Sequence, residues 1–227
     1  MKYIWCEDSG AGFEFWREIF QTIHPEIKVE SKQSNGKLLK AVSKINDDNT
    51  YYILLDVAID NPDVLREYNR LFKYAEEQEN IKIIKIHSFE FTLLSFSLLD
   101  NWVFARNDEL KEKREEILTA RDMFVRLILD EGSPEDLRQF RVIFNYADRY
   151  NTERISAKLL YEITRNTGFE TNKGKLGPCF INSCCEWEGR RNDDICGLDD
   201  DRLSADSKKR MLVEYSALKN SLNEVNL

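Results

Sequence analysis

The chain has 227 residues, 42% of them hydrophobic and 33% charged, with nine glycines, four prolines and a formal charge of −8. Such a chain can bury a full core in one or two domains, and its composition excludes a collagen-like, low-complexity or disordered protein. The negative charge excludes attraction of nucleic acid by the molecule's net field, so a nucleic-acid partner would need a local basic patch or bound metal ions.

No stretch reaches the roughly 20 apolar residues that span a bilayer, and the start lacks a basic region followed by an apolar run and a small-residue cleavage site. The expectation is a cytoplasmic protein with no membrane partner. Five cysteines, four of them between positions 179 and 196, point to thiols or a metal site rather than a secreted disulfide framework.

KYIW (2–5) reads as a short apolar strand. FEFWREIFQTI (13–23) then places Phe13, Trp16, Ile19, Phe20 and Ile23 at helical spacing. Ile27 and Val29 alternate with charged residues as a second strand, Asn35-Gly36 is a turn dipeptide, and Leu38, Leu39, Val42 and Ile45 form the next helix. TYYILLDVAI (50–59) is a near-continuous apolar run, the pattern of a central strand covered on both faces. Asn61-Pro62-Asp63 opens a helix carrying Val64, Leu65, Tyr68, Leu71, Phe72 and Ala75 on one face. IKIIKI (81–86) is the fourth strand. This alternation requires right-handed crossovers, hence a mostly parallel four-stranded α/β sheet with helices on both faces.

After His87 the strand signal stops. FEFTLLSFSLL and residues 107–130, 134–150, 153–166 and 204–222 read as helices, separated by a polar stretch, 168–202, that holds the cysteines. The domains expected are 1–100, α/β, and 101–227, an α-helical appendage with that cysteine-containing loop.

Ligands of an open parallel sheet bind outside the carboxyl ends of its strands, and the acids of the first half follow that edge. Glu7 and Asp8 leave strand one, Asp56 lies within or at the end of strand three with Asp60 four residues on, and Glu90 follows strand four. Gathered carboxylates oppose one another's ionisation, and a hard divalent cation removes that cost. Glu7, Asp56 and Asp60 are thus the candidate ligands of Mg²⁺ or Mn²⁺, with Asp8 or Glu90 as further ones. The plain alternative for Glu7, Asp8 and Glu90 is helix capping, and for Asp60 a turn. Ser9-Gly10-Ala11-Gly12 would let backbone approach an anion, but it satisfies neither the P-loop nor GxGxxG spacing, which excludes a nucleotide cofactor on those grounds. Lys37 and Lys40, beside Lys32 and Lys44, could meet a phosphate backbone or form a solvated face, and His87 could be a base or a structural histidine.

The order of elements, Glu7 after strand one, Gly36 in QSNGKLLKAV and Asp56 in YYILLDVAID resemble the Toprim family of topoisomerases, primases and nucleases of overcoming-lysogenization-defect type, over residues 1–100. HSFEFTLLSF, with Glu90, is similar to the segment after the fourth strand in defence-associated relatives. The resemblance implies a Toprim/Rossmann-like fold and a Mg-dependent nuclease acting on DNA or RNA, with Glu7 in acid/base chemistry and the aspartates on the metal. It also implies a setting in antiphage defence as a toxin or effector, with a defence-system ATPase as partner protein. Position 58 is Ala where the family carries its second Asp, and Asp60 stands two residues beyond it. A catalytically degenerate, protein-binding relative is therefore the alternative. The amphipathic second-half helices could also bury a homo-oligomer interface.

Cys179, Cys184, Cys185 and Cys196 are separated by four, zero and ten residues. Only the first interval suits a zinc site, so a zinc or thiol sensor competes with reduced, buried thiols as the reading of this segment.

Overall fold

The computed structural model describes residues 1–57, 60–106, 109–184, 196–198 and 201–227. It divides into two compact units, Met1–Phe89 with Leu218–Leu227, and Glu90–Ala217. The sequence grouped the final ten residues with the helical half; they lie with the sheet.

In the first unit, β1 (Lys2–Cys6), β2 (Ile27–Ser31), β3 (Thr50–Asp56) and β4 (Ile81–Ile86) form an all-parallel sheet in the order β2-β1-β3-β4. Parallel neighbours need crossovers, supplied by α1 (Ala11–Ile23), α2 (Asn35–Val42) and α3 (Pro62–Glu76). Side chains alternate across a strand. Trp5, Tyr51, Ile53, Leu55 and Ile81 accordingly share one core with Leu38 and Val42 of α2 and Leu71 of α3. Ile4, Cys6 and Leu54 project to the other face and are buried, as are Phe15, Trp16, Ile19 and Phe20 of α1. The central run TYYILLD has the two-sided burial its composition predicts, and the strand stops at Asp56; of the expected remainder, residues 58 and 59 lie outside the described residues. Asn35 and Gly36 begin α2 instead of forming a turn, because the Ser34 hydroxyl accepts from Lys37 N at 3.3 Å and caps the helix.

The second unit is helical among the described residues, with α4 (Phe89–Leu94) leading into it and α5 (Leu99–Val103), α6 (Glu109–Glu112), α7 (Glu115–Leu129), α8 (Pro134–Ile143), α9 (Thr152–Thr164), α10 (Pro178–Ile181) and α11 (Ala205–Glu214) within it. The helix expected over FEFTLLSFSLL stops at Leu94, the one expected over 134–150 stops at Ile143, and two others are broken internally. Between α6 and α7 the buried Arg114 turns inward and donates to the carbonyls of Ile163 and Arg165 at the end of α9, a demand for helix-end partners that local spacing does not reveal. After α11, Ser97 N donates to Tyr215 O and Ala217 N to Ser95 Oγ, so the backbone bonds that would continue the helix are used elsewhere. The chain then enters α12 (Leu218–Asn223), which packs on β4 in the first unit. No helix among the described residues is long and apolar enough to cross a membrane.

Candidate functional site at the carboxyl edge of the sheet

Order β2-β1-β3-β4 means that the chain moves to one side of β1 and then returns to the other. The reversal lies between β1 and β3, and in open α/β sheets the crevice at that point receives ligands. Cys6 pairs with Leu54, so Glu7 departs one step later beside the end of β3, where Asp56 is the last strand residue and pairs with Ile86 of β4. Both carboxylates are half-buried. Cys6 lies directly beneath: burial, reinforced by the charges of Asp8, Glu7 and Asp56, pushes its thiol up to about 12. Negative charge from two neighbouring strands therefore bears on one point of this edge.

Asp8, expected as a further ligand, has a structural task. Its Oδ2 accepts the indole N–H of Trp16 at 2.7 Å, and its backbone carbonyl accepts the Ser31 hydroxyl of β2. The glycines serve the same turn. Gly10, with φ +58, adopts a conformation that other residues resist. A Cβ on Gly12 would stand 2.6 Å from Asp8 Oδ1 and 3.1 Å from the Phe89 ring. The space expected to admit an anionic ligand is thus filled by the protein's own carboxylate. Gly12→Ala should destabilise the fold by about 1–3 kcal/mol, measured by urea unfolding, whereas substitution at Gly36, where a Cβ meets nothing within 4 Å, should have little effect.

The remaining candidates lie on other elements. Asp60 is half-buried in the turn before α3, beyond residues 58 and 59, which lie outside the described residues. Glu90 is 4% exposed in the first turn of α4 and belongs to the second unit. Lys37 and Lys40 are exposed on α2, Lys37 Nζ donating to Gln33 at 2.8 Å. Lys32 is drawn away by Glu30, at 2.9 Å, and stacks 3.7 Å from the Trp5 ring centroid. Among the described residues no group of three or more His, Cys, Asp and Glu side chains is arranged to hold a metal ion. Glu7, Asp56, Asp60 and Glu90 are therefore not assembled as the single ligand set expected from sequence. Of the cysteines, Cys179, Cys184 and Cys196 are half-buried, and Cys185 lies outside the described residues.

His87 directly follows β4, with its Nδ1 3.0 Å from the Val57 carbonyl. Burial lowers its pKa below the ordinary 6.5, so at neutral pH the ring is uncharged, donates from Nδ1, and fixes the exit of β3 rather than offering a cation to phosphate. The unfolded chain takes up this proton near pH 6.5 and the folded chain only at lower pH. The neutral ring's contribution to stability is complete above about 6.5 and is lost as pH falls through that window. Urea midpoints between pH 5 and 8 should fall more steeply with acid for the wild type than for His87→Gln.

Sequence reasoning overlooked Trp16 as the partner of Asp8 and the buried Ser88, 3% exposed, just beyond β4. Asp8, Gly12 and Trp16, each four residues apart, carried a signal for the first. Compared with family models, curated proteins and solved structures, the chain gives no significant match.

Proposed function

We propose that the carboxyl edge of β1 and β3 binds Mg²⁺ or Mn²⁺ and hydrolyses phosphodiester bonds of nucleic acid. The supporting observation is adjacency: Glu7 and Asp56 leave hydrogen-bonded parallel strands at the point where strand order reverses. An all-oxygen donor pair suits a hard cation, and Mg²⁺ commonly takes one or two protein carboxylates while keeping positions for water and phosphate oxygens. A bound ion would lower the pKa of its water and offset charge on the phosphate. Asp56, on the rigid central strand, would orient the ion, and Glu7 would exchange a proton with the attacking or leaving oxygen. The antiphage setting and an ATPase partner rest on the Toprim resemblance alone.

The test is an ion titration followed by thermal unfolding, then incubation with plasmid and tRNA. A cation at a hundredfold its Kd should add about 2.7 kcal/mol, and cleavage should require it. No stabilisation by either ion would overturn the proposal and leave the edge as a protein-binding face.

A second reading is favoured by one observation: β3 ends on a single carboxylate, Asp56, and position 58 is Ala. Asp56 would then be the nucleophile, an oxygen attacking the phosphorus of a small phosphoryl donor and expelling its leaving group. Incubation with acetyl phosphate and Mg²⁺ should add one phosphoryl group by mass, with acetate released. An unchanged mass removes this reading and leaves the hydrolase intact.

A further inference from the structure

The second unit contains a groove of about 540 Å³ lined by Arg149, Tyr150, Arg154, Lys158, Tyr161 and Lys173, with Glu153 as the one carboxylate in its wall. Four cationic side chains thus face one carboxylate, on a chain whose net charge is −8. Glu153 answers only Lys173, at 3.7 Å. Among the described residues Arg149, Arg154 and Lys158 are in no ion pair.

The aromatic residues complete the chemistry. Arg154 stands 4.9 Å from the Tyr150 ring centroid and Lys158 5.6 Å from it and 5.2 Å from that of Tyr146. Tyr146 in turn stacks on the buried Phe140, with centroids 5.9 Å apart and planes 12° from parallel. Lys158 is therefore held over a ring packed on the core and Arg154 over Tyr150, which packs on that ring in turn, and this limits the ordering entropy a ligand must overcome. Arg154, Lys158 and Tyr161 recur at i, i+4 and i+7 along α9, opposite the buried Ile155, Leu159 and Ile163. Tyr161 is 37% exposed and offers a free surface for stacking. The groove lies at the start of a 13-residue helix, whose positive end adds to the field.

We propose that this groove binds single-stranded nucleic acid, its phosphates on Arg149, Arg154, Lys158 and Lys173 and a base on Tyr161. A volume of about 540 Å³ exceeds what one phosphate fills and falls within the range of organic-ligand sites. Cations that follow a backbone, interleaved with aromatic rings that accept any base, are the two components of sequence-tolerant strand binding. The assignment stands apart from the carboxyl edge, since it needs neither a metal ion nor Asp56.

The experiment is fluorescence anisotropy with labelled oligo(dT) and oligo(rU), in EDTA, at several salt concentrations. Wild type and Asp56→Asn should bind alike, which separates this groove from the hydrolase proposal. Affinity should fall with salt with a log–log slope of about −2 to −3, as three or four phosphate contacts require. Arg154→Glu with Lys158→Glu should weaken binding by about thirtyfold or more, and Tyr161→Ala by about tenfold. These side chains are on the surface, and thermal melts check that the fold survives. Should the double variant unfold, Lys173→Glu supplies the same charge test from a loop. Undiminished binding by the folded charge-reversed variant overturns the proposal. Free mononucleotide competing as well as the strand also overturns it and reassigns the groove to a small nucleotide.

Discussion

Asp56→Asn is expected to abolish the divalent-cation stabilisation of this protein and to reduce cation-dependent cleavage by at least about a hundredfold. The amide keeps the size and shape of the side chain but removes the charge that opposes Glu7 across adjacent strand ends. The ion's contribution at saturation should therefore vanish while ion-free stability changes by much less, because like-charge repulsion at the edge is relieved by the same substitution. Glu7→Gln should behave in parallel on cleavage, with a smaller effect on ion binding if its main task is proton transfer. Thermal melts with and without Mg²⁺, beside cleavage rates, make the comparison. Full cation stabilisation in Asp56→Asn would rule out this edge as the metal site.

The largest stability effect is expected at Trp16. Trp16→Ala should cost about 3–5 kcal/mol, a large share of the 5–15 kcal/mol by which domains are usually stable. The indole is fully buried, packs on Phe15 with centroids 4.8 Å apart, and donates to Asp8 at 2.7 Å. Trp16→Phe separates the two contributions: it retains most of the apolar contact but leaves Asp8 without that donor, so about 1–3 kcal/mol should be lost. Chemical unfolding of both variants gives the difference, and a Trp16→Phe cost near zero would remove the hydrogen bond from the account.

The sheet was legible because its signals are local. TYYILLD and IKIIKI are apolar runs that must be buried on at least one face, and the intervening helical periods dictate parallel crossovers. The breaks at Arg114 and at 215–217 were not legible, since the groups that draw them away, the carbonyls of Ile163 and Arg165 and the backbone and side chain around Ser95, lie far off in sequence. The candidate site divides in the same way. Strand-end placement of Glu7 and Asp56 follows from hydropathy, whereas the occupation of Asp8 by Trp16 depends on how α1 turns back over β1. The basic groove was not legible because its cations are spread over positions 149–173, across a helix, the segment before it and the loop after it, with no run that concentrates charge.

The return of α12 to the sheet has a kinetic consequence. Lys82 of β4 donates to the carbonyl of Val225 at 3.5 Å across a separation of 143 residues, while the β1–β3 and β3–β4 pairings close much shorter loops. Long closures are entropically slow to form, so refolding should assemble the strands first and dock the terminal segment last. Until then the apolar surface that buries Leu218, Leu222 and Val225 is open to self-association, and deleting Leu218–Leu227 should convert a transient hazard into permanent aggregation.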